Sequence, residues 1–120
     1  MSSDSPHQSP PETVFAHYRV RADKEQEFLA LLAKHYPALA SVGLVTEKQP
    51  AIWRGHEHDG GLLYIEIFEW VSGEAAEIAH RTPEVMAIWE PMGACVEARD
   101  GRPQFEFPHL APCDPSGAGA

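Results

Sequence analysis

A chain of 120 residues is long enough for one domain that folds without disulfides or metals. Its 18 acidic side chains outnumber its 9 basic ones, giving a formal charge of −9, which argues against binding nucleic acid or an anionic membrane surface. The apolar runs are a few residues long, too short to span a bilayer.

The first residues are polar and rich in Pro and Ser, with no apolar signal stretch. The two cysteines, Cys95 and Cys113, do not make a disulfide scaffold, and the expected compartment is a reducing cytoplasm. Residues 1–12 and 111–120 read as disordered tails around one α+β domain over 13–110. Thr13–Arg21 alternates as a strand, with Val14, Ala16, Tyr18 and Val20 opposite Phe15, His17, Arg19 and Arg21. Asp23, with Gln26 three residues on, predicts a capped helix start. Phe28, Leu29, Leu31, Leu32, His35 and Tyr36 form an apolar helical face, interrupted at Pro37 and stopped at Gly43.

A second extended stretch runs from Leu44 towards Glu57. His58-Asp59-Gly60-Gly61 is hairpin-turn chemistry. Leu62–Val71 is the clearest strand, with both faces apolar enough for a central position. Ala75, Ala76, Ile78 and Ala79 continue helically to His80. Thr82-Pro83 then predicts an N-cap followed by proline at the first helical position, with Val85, Met86, Ile88, Trp89 and Met92 in helical period. Gln104–His109 reads as a last strand, with Phe105, Phe107 and His109 on one side.

The order βαββαβ is the split βαβ pattern of a ferredoxin-like sandwich, with the first strand between the third and fourth. Two helices cover one face of such a sheet. The face expected beneath them carries Leu63, Ile65, Ile67, Val14, Ala16 and Val20. The opposite face, with Phe15, His17, Tyr64, Glu66, Phe68 and Trp70, is too aromatic for water and predicts a sheet-to-sheet dimer.

With its Val20–Leu29 strand-to-helix junction, its Tyr64–Trp70 strand, Ala75-Ala76, His80 and the 80–93 segment, the chain resembles the dimeric α/β-barrel superfamily. Within it, the chain is similar to the antibiotic-biosynthesis-monooxygenase-like families. The resemblance implies a homodimeric oxidoreductase of secondary metabolism that binds an aromatic or polyketide-like molecule. It also implies that the substrate's own carbanion activates oxygen, with no cofactor. A base and donors for the resulting anion would suffice.

The expected base is His17 supported by Glu66, placed by parity on one face of neighbouring strands. The same pair also fits a plain structural hydrogen bond in an interface. Tyr64 and His80 are expected to bind and polarise the substrate, with Phe15, Phe68, Trp70 and Trp89 as aromatic wall or simple packing. His56 and His58, joined by Glu66, His17 or His109, offer an alternative divalent-metal site. His17, His80 or His109 offer a haem alternative. No phosphate loop, nucleophile elbow or His-Glu-x-x-His motif occurs. Cys95 reads as a buried thiol. The rival to an enzyme is a non-catalytic dimer that binds a small molecule.

Overall fold

The computed structural model describes residues 9–117. Strand β1 (Glu12–Arg19) leads through a single 3-10 turn into helix α1 (Glu25–Ser41). Strands β2 (Ala51–His56) and β3 (Leu62–Trp70) follow, then helices α2 (Ala75–Ala79) and α3 (Pro83–Gly93). The short strands β4 (Phe105–Glu106) and β5 (His109–Leu110) end the fold. The sheet is antiparallel in the order β2-β3-β1-β4, with β5 continuing along β1 beyond β4. The first strand thus lies between the third and the last, and the fold is the ferredoxin-like α+β sandwich. The expected N-terminal tail lies outside the described residues as far as residue 8. Beyond it, the Gly73 amide donates to Ser9 Oγ at 2.6 Å. Residues 111–117 hold no helix or strand.

The faces of the sheet differ from the parity expectation. Register pairs Val14 with Phe68, Ala16 with Glu66 and Tyr18 with Tyr64. The even-numbered residues of both strands therefore share the helix-covered face, where Val14, Ala16, Tyr18, Tyr64, Glu66, Phe68 and Trp70 are buried. Leu63, Ile65 and Ile67 lie on the open face with Phe15 and His17. Alternation assigns two faces to each strand, but register alone joins a face of one strand to a face of its neighbour. Covering Tyr64, Phe68 and Trp70 removes more apolar area from water than covering three aliphatic side chains.

The helix starts also depart from expectation. Asp23 does not cap α1; it pairs with Arg21 at 3.1 Å, and Lys24 stands at the N-cap without a side-chain capping bond. Pro37 lies inside α1, which runs through it. The carbonyl that loses its donor belongs to Ala33, on the exposed side of the helix, where water can serve it. Gly43 follows the helix at φ +75°, the left-handed stop that glycine adopts freely. Thr82 is extended before Pro83, but its hydroxyl donates back to the Ile78 carbonyl at 2.7 Å.

An ionic cluster fastens the C-terminal segment to the sheet. Arg19, 1 % exposed, donates to Glu57 at 3.0 Å and to the Pro103 carbonyl at 2.7 Å, and pairs with Glu106 at 2.8 Å. Glu57 also receives Arg99 and Arg102.

Candidate functional site

Phe28, Leu32, His35 and Leu39 are the buried stripe of α1, at helical spacing. The stripe sets His35 over the middle of β3, where Glu66 stands between Tyr64 and Phe68 on the covered face. Both His35 and Glu66 are 1 % exposed. A carboxylate in such a place must be hydrogen-bonded. Tyr18 Oη donates to Glu66 Oε1 at 2.8 Å. His35 Nδ1 lies 2.9 Å from the same oxygen and 3.2 Å from Oε2. On the far side of the ring, Trp89 Nε1 lies 2.8 Å from His35 Nε2.

These contacts fix the proton inventory. An indole N–H only donates, so His35 Nε2 accepts. The imidazole proton then sits on Nδ1 and is donated to Glu66, and the ring is neutral. Burial, reinforced by the Glu66 charge and hydrogen bond, pushes the Tyr18 phenol well above its ordinary pKa, so it stays a donor. The result is a continuous chain, Tyr18–Glu66–His35–Trp89, that ties β1, β3, α1 and α3 together.

Two chambers lie against this chain. The larger, of about 210 Å³, is walled by Tyr18, Met86, Trp89, Met92, Phe105 and Phe107, with His80 and Glu90 as its other contacts. The smaller, of about 110 Å³, reaches His35, Phe68 and Trp70, and Ala76 and His109 close it. His80, Trp89 and Phe107 belong to both. Trp70 Nε1 is buried and has no partner among the described residues.

His80 ends α2 and lies edge-on to Trp89, ring centroids 4.8 Å apart. Its Nδ1 is 2.9 Å from the Ala76 carbonyl oxygen. A carbonyl only accepts, so Nδ1 carries a proton, which leaves Nε2 as the nitrogen that bears the lone pair in the neutral tautomer.

His17 and Glu66 are not a pair. Register sets His17 opposite Ile65 and Ala16 opposite Glu66, so the two side chains leave opposite faces of the sheet. His17 Nδ1 instead meets the Phe15 carbonyl at 2.8 Å, and Phe15 is on the open face with it. Tyr64 is buried on the helix side but lines neither chamber. Its hydroxyl donates to Glu25 Oε2 at 2.6 Å, beside Arg54, whose Nε lies 2.6 Å from the same oxygen. The Arg54 hydrogen bond, then that of Tyr64, lowers the Glu25 carboxyl to about 2. Phe68, Trp70, Trp89 and His80 do meet around the chambers. His56 and His58 are exposed near the hairpin turn, and His109 pairs with Glu12 at 2.6 Å. Among the described residues no group of three or more His, Cys, Asp or Glu could hold a metal ion. No described helix is long and apolar enough to cross a membrane. Cys95 is buried, and burial raises its thiol pKa.

The residues that sequence reasoning misses are His35 and Tyr18. Each falls on an apolar stripe and reads as packing. The available signal is a histidine in the apolar face of one element and a glutamate in the apolar alternation of another. Buried polar groups need partners, and these two types match each other.

No protein-family model matches the chain, and no curated protein does. Solved structures match in fold. SnoaB, a cofactor-independent oxygenase from Streptomyces nogalater, superposes with a TM-score of 0.62 at 15 % identity, covering 88 % of this chain and 96 % of its own. A Nitrosomonas europaea protein, provisionally assigned as an antibiotic biosynthesis monooxygenase, gives 0.58 at 10 % identity, covering 92 % and 98 %. A NIPSNAP-family protein from Agrobacterium tumefaciens gives 0.58 at 18 % identity, covering 98 % of each chain. The chain therefore shares the ferredoxin-like α+β fold of these solved structures.

Proposed function

We propose that the chain is a small, cofactor-independent monooxygenase-like enzyme acting on a hydrophobic aromatic metabolite. The observation that carries this reading is the larger chamber, apolar and aromatic on its walls, with one imidazole whose Nδ1 is engaged by a backbone carbonyl and whose Nε2 has no hydrogen-bond partner among the described residues. A dry cavity of roughly 150 Å³ holds benzene, so about 210 Å³ suits one substituted ring or a compact fused pair.

His80 replaces His17 as the base. Its Nε2 takes the acidic proton of a phenol or enol, and the anion's charge spreads to a ring carbon. That carbon passes an electron to O2 and bonds to it as a peroxide anion, which takes the proton back from His80 to become a hydroperoxide. Loss of water from the hydroperoxide leaves a carbonyl, so a CH2 group and O2 become C=O and H2O. Likeness to SnoaB, itself a cofactor-independent oxygenase, supports this class of reaction.

The partner in this reading is a second copy, set against the open sheet face. The test is oxygen uptake with a panel of naphthols and anthrones. The expected result is uptake with at least one, with kcat falling about 100-fold or more in His80→Gln, the lower range for losing a general base. Saturable binding without uptake would favour the non-catalytic binding protein. Uptake undiminished by His80→Gln would remove His80 from the role.

A further inference from the structure

Trp89 has a position that the proposed chemistry leaves unused. It walls both chambers, as do His80 and Phe107. Ring contacts reach it from two sides, His80 at 4.8 Å and His35 at 6.1 Å between centroids. Among the described residues only His35 holds it by a hydrogen bond, at 2.8 Å from Nε1 to Nε2. His35 in turn has one tautomer that satisfies both of its contacts, and Glu66 selects that tautomer by accepting from Nδ1.

We infer that the Glu66–His35 pair is a positioning device that holds the Trp89 indole as a fixed partition between the two chambers. The inference rests on the ligand reading above only for its consequence, which is size selection. With the partition fixed, a ligand has about 210 Å³; with it released, the further 110 Å³ becomes part of the same space. Glu66 and His35 act here through Trp89 and touch no reacting atom.

The direct readout is the indole N–H signal of Trp89 in 15N-labelled protein, identified by its loss in Trp89→Phe. It should lie downfield of the signal from exposed Trp53. His35→Leu, which has no acceptor, should move it upfield, and His35→Gln, whose amide oxygen accepts, should restore much of the shift. Glu66→Gln should keep the shift better than Glu66→Leu. An unmoved Trp89 signal in His35→Leu overturns the inference.

Should His35→Leu fail to fold, the wild-type imidazole nitrogens decide. A proton on Nδ1 of His35 with a hydrogen-bonded lone pair on Nε2 is expected. A proton on Nε2 overturns it. The consequence is read with 1-naphthol and 9-anthrol as probes. Trp89→Ala should improve the affinity for 9-anthrol relative to 1-naphthol at least tenfold. An unchanged ratio overturns the partition. If neither probe binds any of the proteins, the ligand reading fails, while the indole and imidazole signals still decide whether the pair positions Trp89.

Discussion

At the scale of single residues, Glu66 shows how one buried carboxylate organises its surroundings. It accepts from Tyr18 and His35 while 1 % exposed. Glu66→Leu has nearly the right volume but strands a phenol O–H and an imidazole N–H. Each unsatisfied buried donor costs about 1–3 kcal/mol, so a loss of roughly 2–6 kcal/mol is expected in urea unfolding. Glu66→Gln keeps an acceptor oxygen and should lose less than half as much. Equal losses in the two variants would mean that packing, and not hydrogen bonding, holds this point. Gly61 makes a second case. A Cβ there would collide with the Arg99 guanidinium, which is already committed to Glu57 and to the Leu62 and Val20 carbonyls. Gly61→Ala should therefore cost about 1–3 kcal/mol, the usual range for an overpacked site. A cost near zero would show that Arg99 can swing away freely.

At the scale of elements, β2 and α1 are tied by Arg54 and Glu25, with Tyr64 of β3 donating to the same carboxylate. The Glu25 pKa falls from its usual 4.5 to about 2. A carboxyl that binds its proton more weakly when folded gives stability that is complete above pH 4.5. That stability is lost as pH drops from there towards 2. Arg54→Ala should flatten the fall in stability across that window, as seen in thermal midpoints at successive pH values. An unchanged slope would assign the acid limb to other carboxylates. The elements themselves were legible because their periods are plain: alternation through Leu62–Trp70, helical spacing through Phe28–Leu32, and Pro83 at a helix start. The pairing of faces was not legible. Both faces of β1 and β3 carry apolar side chains, so neither alternation excluded a one-residue change of register, and that change separates His17 from Glu66. The site inherited the error. Of the residues expected at the site, His80, Phe68, Trp70 and Trp89 line the chambers, while Glu66 lines neither and reaches them through Tyr18 and His35. His35 was hidden, because a histidine in an apolar stripe reads as core until its acceptor is known.

At the scale of the whole molecule, the open face of the sheet decides what a second copy would meet. Phe15, Leu63, Ile65 and Ile67 stand on it half-buried, and Trp53 and Leu110 extend it at 64 % and 51 % exposure. With strands of eight and nine residues, four strands wide, the sheet projects on the order of 500 Å². Side chains rising from it enlarge the accessible area towards the roughly 800 Å² per partner of a stable interface. An apolar cluster on a sheet face of that size marks an interaction surface. His17, next to Glu106 in register, would then lie inside the interface and away from the chambers. Trp53 is the large aromatic on this face with the most area left to bury, which makes it the natural anchor. Trp53→Arg places a charge there, and two such charges would meet or be buried unpaired in a symmetric pair. The expected outcome is a dimer for the wild type and a monomer for Trp53→Arg, by sedimentation equilibrium at micromolar concentration. The Trp89 indole signal should stay unmoved, because the chambers lie on the other side of the sheet. A wild-type monomer would remove the second copy from the proposed function. A variant that stays dimeric would move the interface to another surface.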